Sequence, residues 1–363
     1  MNNKPLIVVS AIRFFQGGSV VIVNDCLAFL SKEFAAHYQI KALVFQKDLY
    51  GNFPNIDFIE FPNARKNIFL RLYYEYFHFY KLSKKWRPFL WFSMQDSTPK
   101  VKAEKQALYF HNPLLLCSKP IVLLRLQQRL FFLWLLYKTI YTRKINTNDF
   151  VIVQQQTLSA FLKKTYYLND EKLLIFPPKI TAYAIEHTTK QRGYIFIYPS
   201  TSLAYKNFKV IFEACELLKE KKASFKILLT ISGNENSCIK KLRSQYDCAQ
   251  IKYLGFIKRE DLFCLYNEAD CMIFPSLLET WGLPLSEFSL QNKPIICADL
   301  SYAKETLGNY KKVKFFDPNN AEALAANILQ AINKELIFDK NEFEYSRPVI
   351  NSWQEMFEKI LAK

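Results

Sequence analysis

The stretch DCMIFPSLLETWGLPLSEFSLQNKPIICAD, residues 270–299, decides the fold class of this chain. It opens with the apolar run CMIF and closes with PIICA, and such short runs are typical of strands that are buried on both faces. Between them, Gly282 marks a turn, and Pro284 suits the first turn of a helix, where its missing N–H costs nothing. The order strand, corner, helix, strand predicts a parallel α/β unit.

The same alternation extends outward through the second half of the chain. Strands are expected at 194–199, 225–233, 251–256, 270–276 and 293–299, and helices at 207–222, 259–269, 283–292 and 321–334. The first half opens alike, with the strand PLIVVSAI, the Gly17–Gly18 turn, a helix-period stretch at 20–34, a strand at 40–45 and later strands at 107–110 and 149–154. Alternation this regular predicts two parallel sheets, each with helices on both faces.

Length and composition support two domains. The chain has 363 residues, enough for two cores of ordinary size. The polar stretch 176–193 contains a Pro pair and marks the expected boundary. We therefore predict a first domain over 1–188, a second over 189–340, and a last helix within 341–363.

The positive charge lies mainly in the first half. The net charge is +16, and residues 1–190 hold 26 Lys and Arg against 12 Asp and Glu. This asymmetry predicts an anionic partner, which could be a membrane surface, a nucleic acid or an acidic substrate. The stretches 66–92 and 120–144 mix basic with aromatic residues, as membrane interfaces favour, and so predict a peripheral membrane contact. The alternative is core helices whose Lys and Arg tips are solvated.

Several other classes of protein are disfavoured. The eight Cys have neither CxxC spacing nor a His at metal-site spacing, which indicates reduced thiols in a cytosolic protein. No segment reaches the roughly 20 apolar residues of a transmembrane helix. The N-terminal apolar stretch is too short for a signal peptide.

Two carboxylates bracket the corner in the opening stretch. Glu279 follows a strand, and Glu287 falls at the start of the next helix, so both lie where ligands bind in open α/β sheets. Free N–H groups at a helix start attract anions, and carboxylates accept hydrogen bonds from hydroxyls. This combination predicts a ligand with both hydroxyls and phosphates, such as a nucleotide sugar. Alternatively, Glu287 only complements the helix dipole and Glu279 is a solvated loop residue.

The stretch from FPSLLETWGLPLSE to FDPNNAEALAANI resembles the C-terminal signature of the GT4-type (group 1) retaining glycosyltransferases, which have the GT-B fold. Its E-x7-E pattern is Glu279 and Glu287, and a downstream S-x-x-x-E-x-x-G includes Glu305 and Gly308. The resemblance is specific over residues 194–330 and looser over 1–190. It implies two doubly wound Rossmann-like domains, a cleft between them, and a last helix that crosses back to the first domain.

The resemblance also implies roles for residues of the corner. Glu279 would face the donor sugar, and Glu287 would bind the ribose of the nucleotide. The sugar and phosphates would be lined by the backbone amides of Trp281, Gly282, Leu283 and Leu285.

A basic pair, Arg and Lys, usually neutralises the diphosphate in this family. YPSTSLAYKNFK keeps the Lys as Lys206, followed by Asn207 at a helix start. Where the Arg is expected, the sequence has Ser200, Thr201 and Ser202. Either these hydroxyls and helix amides replace the Arg, or a basic residue comes from elsewhere.

The first half offers an acceptor-side candidate. His111 follows the predicted strand ALYF, and YFHNP resembles a family segment that carries a histidine near the acceptor sugar. Asp96 and the loop of Gln16, Gly17 and Gly18 are further candidates, because a glycine loop lets the backbone approach a ligand closely. A simple turn would explain the glycines equally well, and a lone His is more often structural.

The resemblance implies a hexosyltransferase that needs no cofactor. No D-x-D pair occurs, so no metal is implied, and Lys206 with helix dipoles would carry the diphosphate charge. The family retains anomeric configuration by same-face attack with the departing phosphate as base. His111, Glu279 and Lys206 are the expected catalytic groups.

The sequence therefore predicts transfer of a sugar from a nucleotide-diphosphate sugar to a lipid-linked oligosaccharide, in bacterial O-antigen, lipopolysaccharide or related polysaccharide synthesis. The protein would be cytoplasmic and peripheral on the inner membrane. Alternatives are a GT-B-shaped protein that binds a sugar or partner without catalysis, and a nucleotide-sugar 2-epimerase. A nucleic-acid protein is disfavoured, since no DNA- or RNA-binding motif is found.

Overall fold

The computed structural model describes residues 4–15, 17–117, 120, 127–180, 193–221, 223–246 and 248–362. The chain divides into two compact units: unit 1 comprises residues 1–116, 133–178 and 345–363, and unit 2 comprises residues 117–132 and 179–344. Most of the expected boundary stretch, residues 181–192, lies outside the described residues.

Unit 1 contains a seven-stranded sheet in which all neighbouring strands are parallel, in the order β3-β2-β1-β4-β5-β6-β7. The strands are β1 Leu6–Ala11, β2 Gln39–Val44, β3 Asp57–Glu60, β4 Leu90–Ser93, β5 Lys105–Phe110, β6 Phe150–Val153 and β7 Leu173–Ile175. In the first half of the chain the helices are α1 Gly18–Phe29, α2 Ile68–Tyr73, α3 Phe79–Trp86, α4 Gln128–Leu136 and α5 Gln156–Tyr166.

Three π-helical turns continue these helices. One follows α1 at Leu30–Phe34, one joins α2 to α3 at Tyr74–His78, and one follows α4 at Tyr137–Tyr141. Such turns are rare and recur at functional sites.

Unit 2 contains a six-stranded parallel sheet in the order β10-β9-β8-β11-β12-β13. Its strands are β8 Tyr194–Tyr198, β9 Phe225–Leu229, β10 Ile251–Tyr253, β11 Cys271–Phe274, β12 Ile295–Ala298 and β13 Val313–Phe316. Its helices are α6 Phe208–Leu218, α7 Ser237–Gln245, α8 Arg259–Glu268, α9 Leu283–Ser289, α10 Ser301–Leu307 and α11 Ala321–Ile332. The last helix of the chain, α12 Trp353–Leu361, belongs to unit 1.

The predicted fold class of two doubly wound parallel sheets is confirmed. In each sheet the first strand lies inside and the strand order reverses beside it, between β1 and β4 in unit 1 and between β8 and β11 in unit 2. Both central strands are buried along almost their whole length, because helices cover the two faces of such sheets. The crevice beyond the carboxyl ends at such a reversal is where open α/β sheets bind ligands.

Four short strands, β3, β4, β7 and β13, have no counterpart among the strands expected from the sequence. Each has only three or four residues, too few for the alternation of a strand to be recognised. Strand β4 begins inside the basic and aromatic stretch 66–92, shortly after Pro88. Across the described residues, no helix is both long and apolar enough to cross a bilayer.

Candidate active site

The candidate site of unit 2 lies at the reversal between β8 and β11. Glu279 follows β11, and Lys206 follows β8 in a short 3₁₀ turn, Ala204–Lys206. Because β8 and β11 are parallel neighbours, their carboxyl ends reach the same edge of the sheet. Residues far apart in the sequence are therefore brought together at this edge.

Glu279 and Lys206 form an ion pair. The Lys206 Nζ lies 2.5 Å from the Glu279 Oε1, and both side chains are largely buried. The pair keeps an ammonium group at the sheet edge and limits its motion. A charge held in place before the reaction is more effective at stabilising a developing negative charge than one that must first be oriented.

The turn that carries Lys206 is fastened to the corner after β11. The Tyr198 hydroxyl donates to the Lys206 carbonyl at 2.7 Å, and the Leu277 N–H donates to the Tyr205 carbonyl at 2.8 Å. Asn207, the residue before α6, has left-handed backbone (φ 57°), and its side-chain amide donates to the carbonyl of Pro275 at 3.2 Å. These bonds fix the backbone on both sides of the Lys206 side chain.

Glu287 is held by two groups of the preceding helix, α8. Its Oε1 lies 2.9 Å from an Arg259 nitrogen, and its Oε2 accepts a hydrogen bond from the Tyr266 hydroxyl at 3.0 Å. Glu287 is only 4% exposed. Burial raises the pKa of its carboxyl, while Arg259 and the Tyr266 hydroxyl act in the opposite direction.

The corner between the two glutamates is a left-handed Gly turn followed by a helix start. Gly282 has φ 83°, a conformation that costs other residues energy, and Pro284 lies in the first turn of α9 as expected. The Leu285 N–H donates to the Gly282 carbonyl at 2.9 Å. The first helical turn already engages the Leu285 amide, and its contact with the donor stays a prediction. The amides of Trp281, Gly282 and Leu283 remain predicted donor contacts.

Trp281 and the helix α10 close the other side of the corner. The Trp281 indole N–H donates to the Ser286 hydroxyl at 2.9 Å, and its carbonyl accepts from the Thr306 hydroxyl. The same helix, α10, contains the buried Glu305 and ends at Leu307, immediately before Gly308. These contacts fix the backbone from which the Trp281 and Gly282 amides project.

The hydroxyl segment that replaces the expected Arg lies at the end of β8. The Ser200 N–H donates to the Thr230 hydroxyl at 2.9 Å, and the Ser200 hydroxyl donates to the Thr201 carbonyl at 3.2 Å. The guanidinium of Arg259 pairs with Glu287. The donor hypothesis rests on Lys206, the basic residue that matches the family pattern.

The acceptor-side candidates lie in unit 1. His111 follows β5, and its main-chain N–H donates to the Asp96 carboxylate at 2.5 Å, so the structure brings these two candidates together. Gly17 (φ 78°) precedes α1, and Gly18 begins it. Gln16 lies outside the described residues.

Sequence reasoning missed several polar residues near these candidates. Arg259 and Tyr266 lie seven positions apart in one helix, a spacing that places them on one face and could have paired them. In unit 1, Arg71 and Glu75 are four residues apart and form a buried ion pair of 2.7 Å. That spacing is visible in the sequence, but it is also common on solvated helix faces.

Residues 180–347 match the family described as Glycosyl transferases group 1. The chain is 35% identical over 85 residues to the O-antigen chain mannosyltransferase B of Escherichia coli, an alignment of 23% of this chain and 22% of that protein. It is 20% identical over 239 residues to the uncharacterized glycosyltransferase YqgM of Bacillus subtilis, covering 60% of this chain and 63% of YqgM. The chain thus spans about a fifth of the first relative and under two thirds of the second.

Solved structures share the architecture over almost the whole chain. The sucrose-phosphate synthase of Thermosynechococcus elongatus superposes with a TM-score of 0.70 at 16% identity, covering 92% of this chain and 90% of that one. The Anabaena protein HepE, solved in complex with UDP-glucose, superposes with a TM-score of 0.59 at 14% identity, covering 91% of each chain. Residues 180–347, a little under half of the chain, thus resemble the group 1 glycosyltransferases, and the two parallel sheets share the architecture of the GT-B fold.

Proposed function

We propose that this protein is a retaining hexosyltransferase that moves a sugar from a nucleotide-diphosphate sugar to a lipid-linked oligosaccharide. The observation that carries the proposal is the Lys206–Glu279 ion pair, which lies at the reversal of a sheet whose residues match the family. Similarity to an O-antigen mannosyltransferase supports O-antigen, lipopolysaccharide or related surface polysaccharide as the product. The protein would act at the cytoplasmic face of the bacterial inner membrane.

In the proposed reaction, Lys206 stabilises the departing nucleoside diphosphate. The bond from the anomeric carbon to the phosphate oxygen breaks, and the negative charge grows on the diphosphate near the ammonium. The acceptor hydroxyl attacks the same face and passes its proton to the departing phosphate, so no protein nucleophile is needed. Glu279 orients Lys206 and faces the sugar, and Glu287 accepts hydrogen bonds from the ribose hydroxyls.

The donor role is tested by a thermal-shift panel of UDP, GDP, dTDP and CMP. One nucleotide is expected to raise the melting temperature of the wild type, because a ligand at 100 times its Kd stabilises a protein by about 2.7 kcal/mol. Glu287→Ala should abolish this shift. Because that change removes the carboxylate that Arg259 pairs with, Glu287→Gln serves as a second variant that keeps the shape and a hydrogen-bonding group.

Two results would speak against this donor site. If no nucleotide stabilises the wild type, the protein binds no donor of these classes. The hypothesis of a protein that binds a sugar or partner without catalysis then gains support. If the shift persists in both variants, Glu287 has no part in nucleotide binding.

We further propose that unit 1 contacts an anionic membrane through an aromatic stripe, defined as Phe69, Tyr73 and Phe77. These side chains are 79%, 45% and 63% exposed and are four residues apart, so they project from one side of the helical segment 68–86. Exposed Lys66, Lys84 and Lys85 flank or follow the stripe. Aromatic rings suit the bilayer interface, and each nearby basic residue adds about 1 kcal/mol of attraction to an anionic leaflet.

Replacing the stripe with three Ser residues is expected to weaken binding to phosphatidylglycerol-containing vesicles by about 100-fold. The estimate assumes that each ring contributes about 1 kcal/mol when partly buried. Co-sedimentation at low salt measures the loss. Phe256→Ser is the control, because Phe256 is 77% exposed but belongs to unit 2. Equal binding by the triple variant and the wild type would exclude the stripe as the contact.

A protein that binds a sugar or partner without catalysis is the second candidate. The observation in its favour is the segment Ser200, Thr201 and Ser202 in place of the Arg that the family usually has. A non-catalytic protein would still bind a nucleotide or sugar but would release no nucleoside diphosphate. Turnover of the donor identified by the panel therefore separates the two candidates.

A further inference from the structure

A network of buried polar side chains surrounds His111 in unit 1. The carboxylate of Asp96 accepts hydrogen bonds from the main-chain N–H of His111 on Oδ1 at 2.5 Å and from the Arg13 guanidinium on Oδ2 at 2.8 Å. The Tyr137 hydroxyl lies 3.5 Å from the same Oδ2. Asp96 is 2% exposed and has φ 65°, a conformation rare for residues other than Gly. Surrounding contacts must hold such a residue in place, and strain of this kind clusters at functional sites.

Asp96 and its neighbours also determine how the His111 ring is presented. The ring Nε2 lies 2.9 Å from the Met94 carbonyl oxygen. A carbonyl can only accept, so Nε2 carries the proton and Nδ1 of the neutral ring is an acceptor. Burial lowers the pKa of His111, with Asp96 raising it and Arg13 lowering it, while the rings of Phe14 and Tyr109 pack against the imidazole.

A second ion pair, between Arg71 and Glu75, lies next to the segment that contains Asp96. Arg71 Nε donates to the Glu75 Oε1 at 2.7 Å, and the Gln95 side-chain amide donates to the same oxygen at 3.1 Å. The Lys100 N–H donates to the Glu75 carbonyl at 3.0 Å. Asp96 lies between Gln95 and Lys100. Glu75 therefore bonds to both ends of the segment 95–100, through its carboxylate at Gln95 and through its main-chain carbonyl at Lys100.

Aromatic rings connect the two ion pairs by a second route. The Arg71 guanidinium lies 4.4 Å from the ring of Tyr141, whose centre is 4.9 Å from that of Tyr137. The Arg13 guanidinium lies 5.1 Å from the Tyr137 ring. Glu75 and both tyrosines belong to π-helical turns, Tyr74–His78 and Tyr137–Tyr141. Two rare turns therefore present their side chains to one network.

The Arg71–Glu75 pair is not the arrangement that packing alone would favour. Arg71 is 6% exposed and Glu75 fully buried, and within the described part of the chain Arg71 Nη2 and Glu75 Oε2 have no hydrogen-bond partner. Replacing a buried ion pair with apolar residues is often neutral or stabilising. The presence of a buried ion pair at this position points to a requirement other than stability.

We propose that Arg71 and Glu75 are positioning residues, which hold the segment 94–100 so that Asp96 fixes the main chain of His111 and the Met94 carbonyl fixes its ring. Neither residue needs to touch a substrate. The use of the fixed His111 ring rests on the proposed transferase function. The positioning itself does not, so it can be tested in the protein without any substrate.

The test is hydrogen exchange of the His111 amide in the full-length protein labelled with ¹⁵N-histidine, which gives one signal for each of the four His. Two variants are compared with the wild type: Asp96→Asn, and the double variant Arg71→Met with Glu75→Met. The double variant removes both charges at similar volume, whereas Glu75→Gln alone would leave a buried Arg without its counter-charge. Both variants are expected to accelerate His111 exchange by about tenfold or more, because a hydrogen bond to a charged group is weakened.

The amide of His37 is the internal control, because it also belongs to unit 1 and donates to the Phe34 carbonyl at 3.0 Å, away from the network. Faster exchange at His111 with unchanged exchange at His37 supports positioning. Unchanged His111 exchange in the double variant overturns it, and so does equal acceleration at both residues, which indicates a general loss of stability. A protein that transfers no sugar still gives a decisive result here.

Discussion

Lys206→Met is expected to lower the rate of donor turnover by about 10²- to 10³-fold. Removal of a single preorganised group that stabilises developing negative charge has an effect of this size, about 3–4 kcal/mol in the barrier. Lys206 is the basic side chain that Glu279 holds at the sheet edge, at 2.5 Å. Release of nucleoside diphosphate from the donor found in the thermal-shift panel measures the effect on kcat.

Two further variants make this result specific. Lys209→Met removes an equal charge from an exposed position of α6, where Lys209 pairs with Glu213, and should leave the rate unchanged. The double variant Lys206→Met with Glu279→Gln removes the unpaired carboxylate and should remain as slow as the single variant. A rate within twofold of the wild type in Lys206→Met would mean that the ammonium does not act on the leaving group.

Arg259→Met is expected to destabilise the protein by about 3 kcal/mol at neutral pH. Removing one partner of a buried ion pair leaves the other charge uncompensated, and the value is at the low end of the usual range because Arg259 is one-fifth exposed. Glu287, by contrast, is almost fully buried. Urea unfolding monitored by circular dichroism measures the loss.

The effect of Arg259→Met should grow as the pH rises. Burial raises the folded-state pKa of Glu287 above its ordinary value of 4.5, so the stability due to the protonated carboxyl is present below that value and is lost as the pH rises through the folded-state pKa. Arg259 limits this loss by stabilising the ionised form. The gap in unfolding free energy between wild type and Arg259→Met should therefore be small near pH 4.5 and wide at pH 8.

The double variant Arg259→Met with Glu287→Leu is the control. It removes both charges, so it should recover most of the stability. The part of the pH dependence that comes from Glu287 should be lost. A gap that is equal at both ends of the pH range would show that the ion pair contributes little and that Arg259 stabilises the protein mainly through packing.

The sequence by itself determined the fold class and the location of the candidate site in unit 2. Short apolar runs that alternate with helix-period stretches specify parallel strands covered by helices, and both sheets have this arrangement. Gly282 and Pro284 specify the corner between β11 and α9, because a left-handed backbone and a helix start require those residue types. These features depend on neighbours within a few residues, so they can be recognised in the sequence.

Only the tertiary structure decided which charged groups meet. Lys206 reaches Glu279 because β8 lies beside β11, and Arg13 reaches Asp96 across 83 positions because β1 lies beside β4. Periodicity indicates which face of an element is buried, but not which element lies opposite, since that depends on the order of strands in the sheet. For the same reason, the sequence showed Arg71 and Glu75 only as a pair four residues apart, and the packed structure turned that pair inward toward the segment that holds His111.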